Sequence, residues 1–255
     1  VFLGTFTNVV TVLAGTAVGA LIGTRIPDRL QQTILAALGL LTAGIAVREI
    51  MATDRFILVL AAVLLGAVAG ELARIEQGLE RLGFYLQARL TSRTRPIDVE
   101  VPEMGAGEPK GEWVDIGPSG PPGDNRFAQG FILASLVFCI GPLTILGSIN
   151  DGLGDPELLL VKAGLDGFAS VAFAAIYGWG VALSAAVVLV IQGGIALGAS
   201  ALEGGLTDPM IDALASTGGI LLLGIALRLL DIKHIRVANL LPALVFAPAL
   251  VRLFP

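Results

Sequence analysis

The sequence has little of what catalytic and metal sites are made from. Its 255 residues include one histidine and one cysteine. Cys139 alone forms no internal disulfide, and together with His234 it falls short of a zinc ligand set. Metal ligands therefore stay unassigned, and no cofactor is expected. No GxxxxGK[ST] loop occurs, which argues against ATP-driven work by this chain alone. A metalloprotease motif and a Ser/His/Asp arrangement are likewise missing, so the chain is not expected to be an enzyme. No basic stripe is interleaved with aromatics, so nucleic acid is not an expected partner. Charge is scarce as well: Asp, Glu, Lys and Arg make up 15% of residues, against about 25% in an ordinary soluble domain.

What fills the chain instead is apolar. Hydrophobic residues account for 55%, and mean hydropathy is +0.85. Runs of about 18 or more apolar residues recur, long enough to cross a hydrocarbon core of about 30 Å as helices. A membrane barrel would show alternating segments of about ten residues, and these are absent. The expected fold class is therefore all-α, a polytopic transmembrane helical bundle with the lipid bilayer as its surroundings. Expected spans are 5–24, 30–48, 56–76, 127–148, 158–177, 179–201, 211–230 and 237–253. The count is eight if Tyr177-Gly178-Trp179-Gly180 is a tight turn, and seven if it is not. The opening segment lacks a basic n-region and a clear cleavage site, so it reads as a retained helix.

Charge at the helix ends supports eight. Arg25 and Arg29, the stretch containing Arg81, Arg89, Arg93 and Arg95, and Lys233 with Arg236 all fall on one side. Asp151, Asp155, Glu157, Glu203, Asp208 and Asp212 fall on the other, in two segments with no basic residue. The first side is then cytoplasmic and both termini lie outside. Three units result: a membrane unit of three helices at 1–91, a Pro/Gly-rich cytoplasmic linker at 92–126, and a membrane unit of about five helices at 127–255. The linker's composition cannot build a packed core. A docking role around Trp113 is the alternative reading of it.

The first and sixth expected helices share a pattern, VVTVLAGTAVGALIG beside VVLVIQGGIALGAS. Gly15 and Gly19 meet Gly194 and Gly198 when the two are laid together. The next helices continue it, with Gly39, Gly44 and Arg48 against Gly219, Gly224 and Arg228. The copies start an odd number of helices apart, so they would cross the membrane in opposite senses, as inverted repeats of carriers do. Four-residue glycine spacing (Gly15, Gly19 and Gly23; Gly66 and Gly70; Gly194 and Gly198) marks faces where backbones approach closely. Packing within one chain is the first reading of these faces and a homodimer seam the second. Pro142, Pro242 and Pro248 interrupt expected spans, with Gly141-Pro142 reading as a built break.

Polar residues inside these spans are the candidate site. Lys162 and Asp166, spaced i,i+4, share a helix face, and Asp166 lies roughly 13 Å in from Glu157. Burying one such charge costs at least about 2.5–3.5 kcal/mol on insertion scales, so the two must pair and face protein or water. They either lock the helix or line a polar path for a small ion or polar solute. In the second case Asp166 carries a proton or cation, and Lys162 compensates its charge. Gln192, Asn150, Asp151, Asn8 and Asn239 supply further hydrogen-bonding groups, with Thr5 nearby. Arg48, Arg228 and Arg252 sit near helix ends and are expected to snorkel to headgroups. Glu71 and His234 read as interfacial.

Several ordered motifs then resemble one family: GTFTN at Gly4–Asn8, FCIGPLTILGSINDGL at Phe138–Leu153, KAGLDG at Lys162–Gly167, TGGILLLGIAL at Thr217–Leu227 and IRVANLLPAL at Ile235–Leu244. They are similar to domain of unknown function 554, the YqgA/YdfK-like bacterial membrane proteins. The resemblance covers nearly the whole chain outside the linker. It implies a bacterial cytoplasmic-membrane protein described in terms of transport, with no settled substrate and no catalytic residues to carry over. The expected function is secondary transport of a small ion or polar solute, with a channel or a non-transporting scaffold as the alternatives.

Overall fold

The computed structural model describes residues 2–23, 25–91, 126–202 and 205–254. All regular elements among them are helical. The N-terminal part holds α1 (Leu3–Gly23), α2 (Asp28–Ile50), α3 (Phe56–Ala73) and α4 (Ile75–Thr91). After the linker come α5 (Arg126–Cys139), α6 (Pro142–Leu153), α7 (Glu157–Tyr177) and α8 (Ser184–Leu197). The four-residue α9 (Ala199–Leu202), then α10 (Asp208–Leu229) and α11 (Ala243–Leu253), complete the chain. The expected linker and Trp113 lie outside the described residues, except that Arg126 opens α5.

Helices α1 and α7 run side by side in the same direction. Gly15, Gly19 and Gly23 of α1 meet the backbone carbonyls of Gly167, Val171 and Ala175 on α7, and a Cβ at any of the three would overlap those oxygens. Two four-residue ladders thus interlock. Backbones this close gain dispersion contacts that a lipid-exposed face would not supply. The start of α1 is held by a side chain from another helix. The amides of Gly4 and Thr5 donate to the carboxylate of Asp151 at 2.9 and 3.0 Å, satisfying two of the four orphan donors of the first turn.

The expected fourth span is broken where its sequence predicts. α5 stops at Cys139, Gly141 takes φ 144°, and α6 leaves at 65° to α5. Pro142 has no amide to continue the ladder, and only glycine adopts the preceding backbone without strain. The expected turn after Tyr177 is also present. Gly178 takes φ 73°, and a 3-10 helix spans Gly178–Leu183. The amide of Asn8 donates to both Asp166 on α7 and Gln192 on α8. In one straight helix those two residues would sit about 39 Å apart, so the 41-residue run Glu157–Leu197 doubles back on itself.

Among the described residues, five helical runs are long and apolar enough to cross a membrane, or six if the bent α5–α6 pair is one span. The expectation of eight differs on two points. Glu157–Leu197 is one uninterrupted helical run, although it reverses, and Val237–Leu253 is too short to meet the length. That last segment begins as a 3-10 helix at Val237–Leu240, and Pro242 then restarts the chain as α11. A further correction concerns 56–76. α3 ends at Ala73 with Arg74 in the left-handed region, φ 52°, and a fourth N-terminal helix, α4, follows.

Helix α2 packs antiparallel on α10. Gly39 lies against Leu229 and Leu230, while Gly219 lies against Ala46, Glu49 and Ile50. α3 packs antiparallel on the last segment, Gly66 against Ala243 and Gly70 against Asn239. The glycine faces of α1 and α3 are therefore used inside the chain. Gly194 on α8 instead has open space where a Cβ would go. Gly19→Ala should cost about 1–3 kcal/mol of stability by forcing α1 and α7 apart. Gly194→Ala should be neutral or slightly stabilising, since alanine is the better helix former. Thermal unfolding of both variants in detergent reads the difference, and equal melting temperatures would show that the seam is not close-packed.

Candidate functional site in the bundle interior

Four of the polar residues singled out in the sequence meet at one place. Lys162 and Asp166 are on adjacent turns of α7, and the ammonium donates to Oδ2 of Asp166. Nδ2 of Asn8, from α1, donates to the same oxygen at 2.9 Å and to Oε1 of Gln192, from α8, at 3.3 Å. All four side chains are buried, Asn8 and Gln192 completely. Two helices thus converge on one carboxylate oxygen, and the third, α8, holds the asparagine that reaches it. This placement follows from the glycine seam, because only a close approach of α1 to α7 brings a side chain as short as asparagine to Asp166.

The cluster is not fully satisfied. Oδ1 of Asn8 and Nε2 of Gln192 are buried with no partner. A buried polar group left unpaired costs about 1–3 kcal/mol, and such groups ordinarily hold a water or ligand. One orphan is an acceptor and the other a donor, so a single water or hydroxyl can serve both.

In front of the cluster lies a cavity of about 340 Å³. Lys162 and Asp166 line it together with Glu49 and Arg48 of α2, the first turn of α6 at Leu143 and Thr144, and an apolar wall. α2 and α7 run antiparallel, so their lining residues can be ranked by depth. Glu49 and Arg48 lie level with Lys162 near one end of the bundle, while Leu38 and Phe173 lie about three turns deeper. The charges therefore sit at one end of the cavity, and its other end is apolar. Arg48 is exposed at 75% of its side chain, whereas Glu49, which it pairs with at 2.6 Å, is 10% exposed. Leu41, Ile45 and Leu165 line the cavity and are themselves exposed, so it is open on the side between α2 and α7.

The remaining sequence candidates lie elsewhere. Asp151 holds the start of α1 and also accepts from the Thr5 hydroxyl. Asn150, one residue earlier at the end of α6, is half-buried, and its carbonyl accepts from the amide of Asp155. Asn239 belongs to a second polar cluster at the other end of the bundle. There its Oδ1 accepts from the amide of Glu76, and its Nδ2 donates to Glu71. Arg228 corrects an expectation: it does not snorkel, but is 9% exposed and pairs with Glu76 at 3.2 Å. Glu76 also accepts from the amide of Ala238. Burial holds the Glu76 carboxyl above its ordinary range, against the pull of Arg228. Sequence reasoning missed Glu76 and Glu49. Each is an acidic residue at the end of an apolar run, where a solvated position is the ordinary reading.

Known proteins match this chain over nearly its whole length. A family profile described as "Protein of unknown function (DUF554)" matches residues 3–252. "Uncharacterized protein YqgA" of Escherichia coli (strain K12) is 29% identical over 247 residues, covering 96% of this chain and 94% of its own. "Uncharacterized membrane protein YdfK" of Bacillus subtilis (strain 168) is 28% identical over 253 residues, covering 97% and 95%. No solved structure matches.

Lys162→Met strands a buried carboxylate and should cost about 3–5 kcal/mol, whereas Lys162→Met combined with Asp166→Asn should recover most of that loss. A double-mutant cycle by thermal or denaturant unfolding in detergent checks this. Additive losses would mean that the two groups are not coupled.

Proposed function

Because the chain belongs to the DUF554 family, whose two relatives carry no activity in their names, we propose its function from the cavity: secondary transport of a small polar solute or ion across the bacterial cytoplasmic membrane. The observation that carries this reading is an open cavity reaching a buried, oppositely charged pair inside an apolar bundle. Ionisable groups at such a position are costly and are retained chiefly along solute or proton paths. Asp166 is the group that binds cation or proton, Lys162 compensates it, and Asn8, itself held by Gln192, positions Asp166 while the two amides keep one donor and one acceptor unspent.

Two features support a carrier over a static pore. Broken helices flank the cavity and the opposite cluster, α5–α6 at the first and the 237–242 segment at the second. Each element of the proposed repeat also packs against its own counterpart. α1 meets α8, α2 meets α10, and the same offset carries α3 onto the segment that it packs against, 236–253. Each of these pairs is antiparallel, as an in-plane two-fold axis requires. The aligned arginines differ in state: Arg48 lines the open cavity and is exposed, while Arg228 is sealed against Glu76 at the other end. An outward-open conformation with its inner end closed has this asymmetry.

In proteoliposomes, Asp166→Asn should reduce flux of labelled solute, or of protons read by trapped pyranine, to that of protein-free vesicles while the protein still melts cooperatively. Ala169→Cys, in a Cys139→Ser background, should react with a membrane-impermeant methanethiosulfonate from one side only. Absence of reaction from either side would mean a dry cavity and would remove the basis for transport.

A further inference from the structure

The cavity distributes its chemistry in a way that narrows the solute. Its two acids, Asp166 and Glu49, are matched by two bases, Lys162 and Arg48, so the lining carries no net charge. A lone cation would face Lys162 and Arg48, and a lone anion would face Asp166 and Glu49. Neither finds a field of one sign. A small inorganic ion would also leave the apolar depth of the cavity unfilled, since about 340 Å³ has room for on the order of ten waters. A purely apolar molecule would fill the depth but leave both ion pairs dry and unsolvated.

The first turn of α6 adds direction. Gly141, Leu143 and Thr144 line the cavity, and Pro142 starts the helix there, so the positive end of the α6 dipole lies at the same wall as Lys162. Helix starts created by a break within a membrane bundle are suited to carboxylates. The acids and bases are therefore laid out for a molecule with one carboxylate, one cationic group and an apolar part.

Resting on the carrier reading of this cavity, we propose that its ligand is a small zwitterion with an apolar side group, the chemical class of the α-amino acids. The carboxylate lies on Lys162 and the first turn of α6, the ammonium on Asp166 and Glu49, and the side group on the floor formed by Leu38, Val137, Phe173 and Leu222. Binding replaces the direct Lys162–Asp166 contact with two ion pairs through the ligand. No charge is left unmatched, which is the condition for carrying a doubly charged molecule through an apolar bundle.

The full chain in detergent is the material for the test. Its melting temperature is measured with leucine, isoleucine, valine, methionine and phenylalanine, and with two half-molecules of leucine, 3-methylbutylamine and 4-methylpentanoate. At least one amino acid, at about a hundredfold over its Kd, should raise the melting temperature by roughly 5–10 °C, because binding to the folded state adds to stability. The half-molecules should shift it far less. Leu38→Trp, which fills the floor, should abolish the shift with leucine while leaving the unliganded protein cooperatively folded. A half-molecule as effective as leucine, or no shift with any of the five, overturns the inference. Should none of the five shift the protein while Asp166-dependent flux of an inorganic ion is found, the zwitterion is wrong and the carrier stands. Binding without flux in proteoliposomes has the opposite meaning: the ligand class stands and the carrier falls.

Discussion

The cost of placing a charge in an apolar bundle governs the interior of this protein. Lys162 and Asp166 cannot be buried separately, and even as a pair they need further hydrogen bonds to offset desolvation. The structure supplies one from another helix, through Asn8 of α1, and Gln192 of α8 in turn accepts from that same amide. Asn8 can reach only if the backbones of α1 and α7 are close, and closeness requires residues without side chains. The ladder of Gly15, Gly19 and Gly23 against α7 is thus the packing condition for the polar cluster. The turn at Gly178, which returns α8 to the same depth, is its topological condition. Losing the ladder takes the Asn8 hydrogen bond from the pair, and losing the turn takes Gln192 from Asn8.

The two ends of the bundle treat charge differently. At one end Glu49 and Arg48 border an open cavity, and Arg48 reaches solvent or headgroups. At the other, Arg228 is sunk into contact with Glu76, which also accepts the amide of Ala238, while Asn239 ties Glu71 to the start of α4. The second arrangement knits α3, α4, α10 and the 237–242 segment together. It gives α4, a charge-rich helix with little reason to enter a bilayer, a fixed attachment to the membrane part.

Much of this was legible in the sequence, for identifiable reasons. Membrane class, the break at Gly141-Pro142 and the reversal after Tyr177 follow from hydropathy and from residues with restricted or permissive backbones. The i,i+4 spacing of Lys162 and Asp166 implied a pair, because helix geometry fixes which side chains share a face. Which distant residues join that pair is another matter. Asn8, Asn150, Asp151 and Asn239 look alike as isolated polar residues among apolar ones, and only the register between helices separates them. Asn8 reaches Asp166 because Gly4 sits beside Leu159, which sets the α1–α7 register. Asp151 is spent on helix capping, and Asn239 lies at the far end of the bundle. Arg228 was misread as a headgroup contact because its partner, Glu76, opens α4, a charge-rich helix whose docking against α10 no sequence pattern signals. Span counting failed at Val237–Leu253 because Pro242 divides an apolar stretch that hydropathy alone treats as continuous.

The aligned positions Arg48 and Arg228 are where the proposed repeat has physical consequences. Identical residues in equivalent halves would be expected in equivalent surroundings if the molecule were symmetric, and they are not: one is exposed and the other buried. The carrier reading explains this without further assumptions. A two-fold related pair of half-sites cannot both be open without making a continuous leak, so at least one end must be closed at any time. In this structure the closed end has the better-satisfied charges, since Glu76 receives both an arginine and a backbone amide, whereas Glu49 receives, among the described residues, its neighbour's guanidinium alone. Closing the open end would then require Glu49 to find a further donor as Arg48 turns inward. The solute itself is the group best placed to start that exchange, because its ammonium would reach Glu49 and Asp166 together. On this account ligand binding and closure are one electrostatic event, and an empty cavity has no comparable reason to shut.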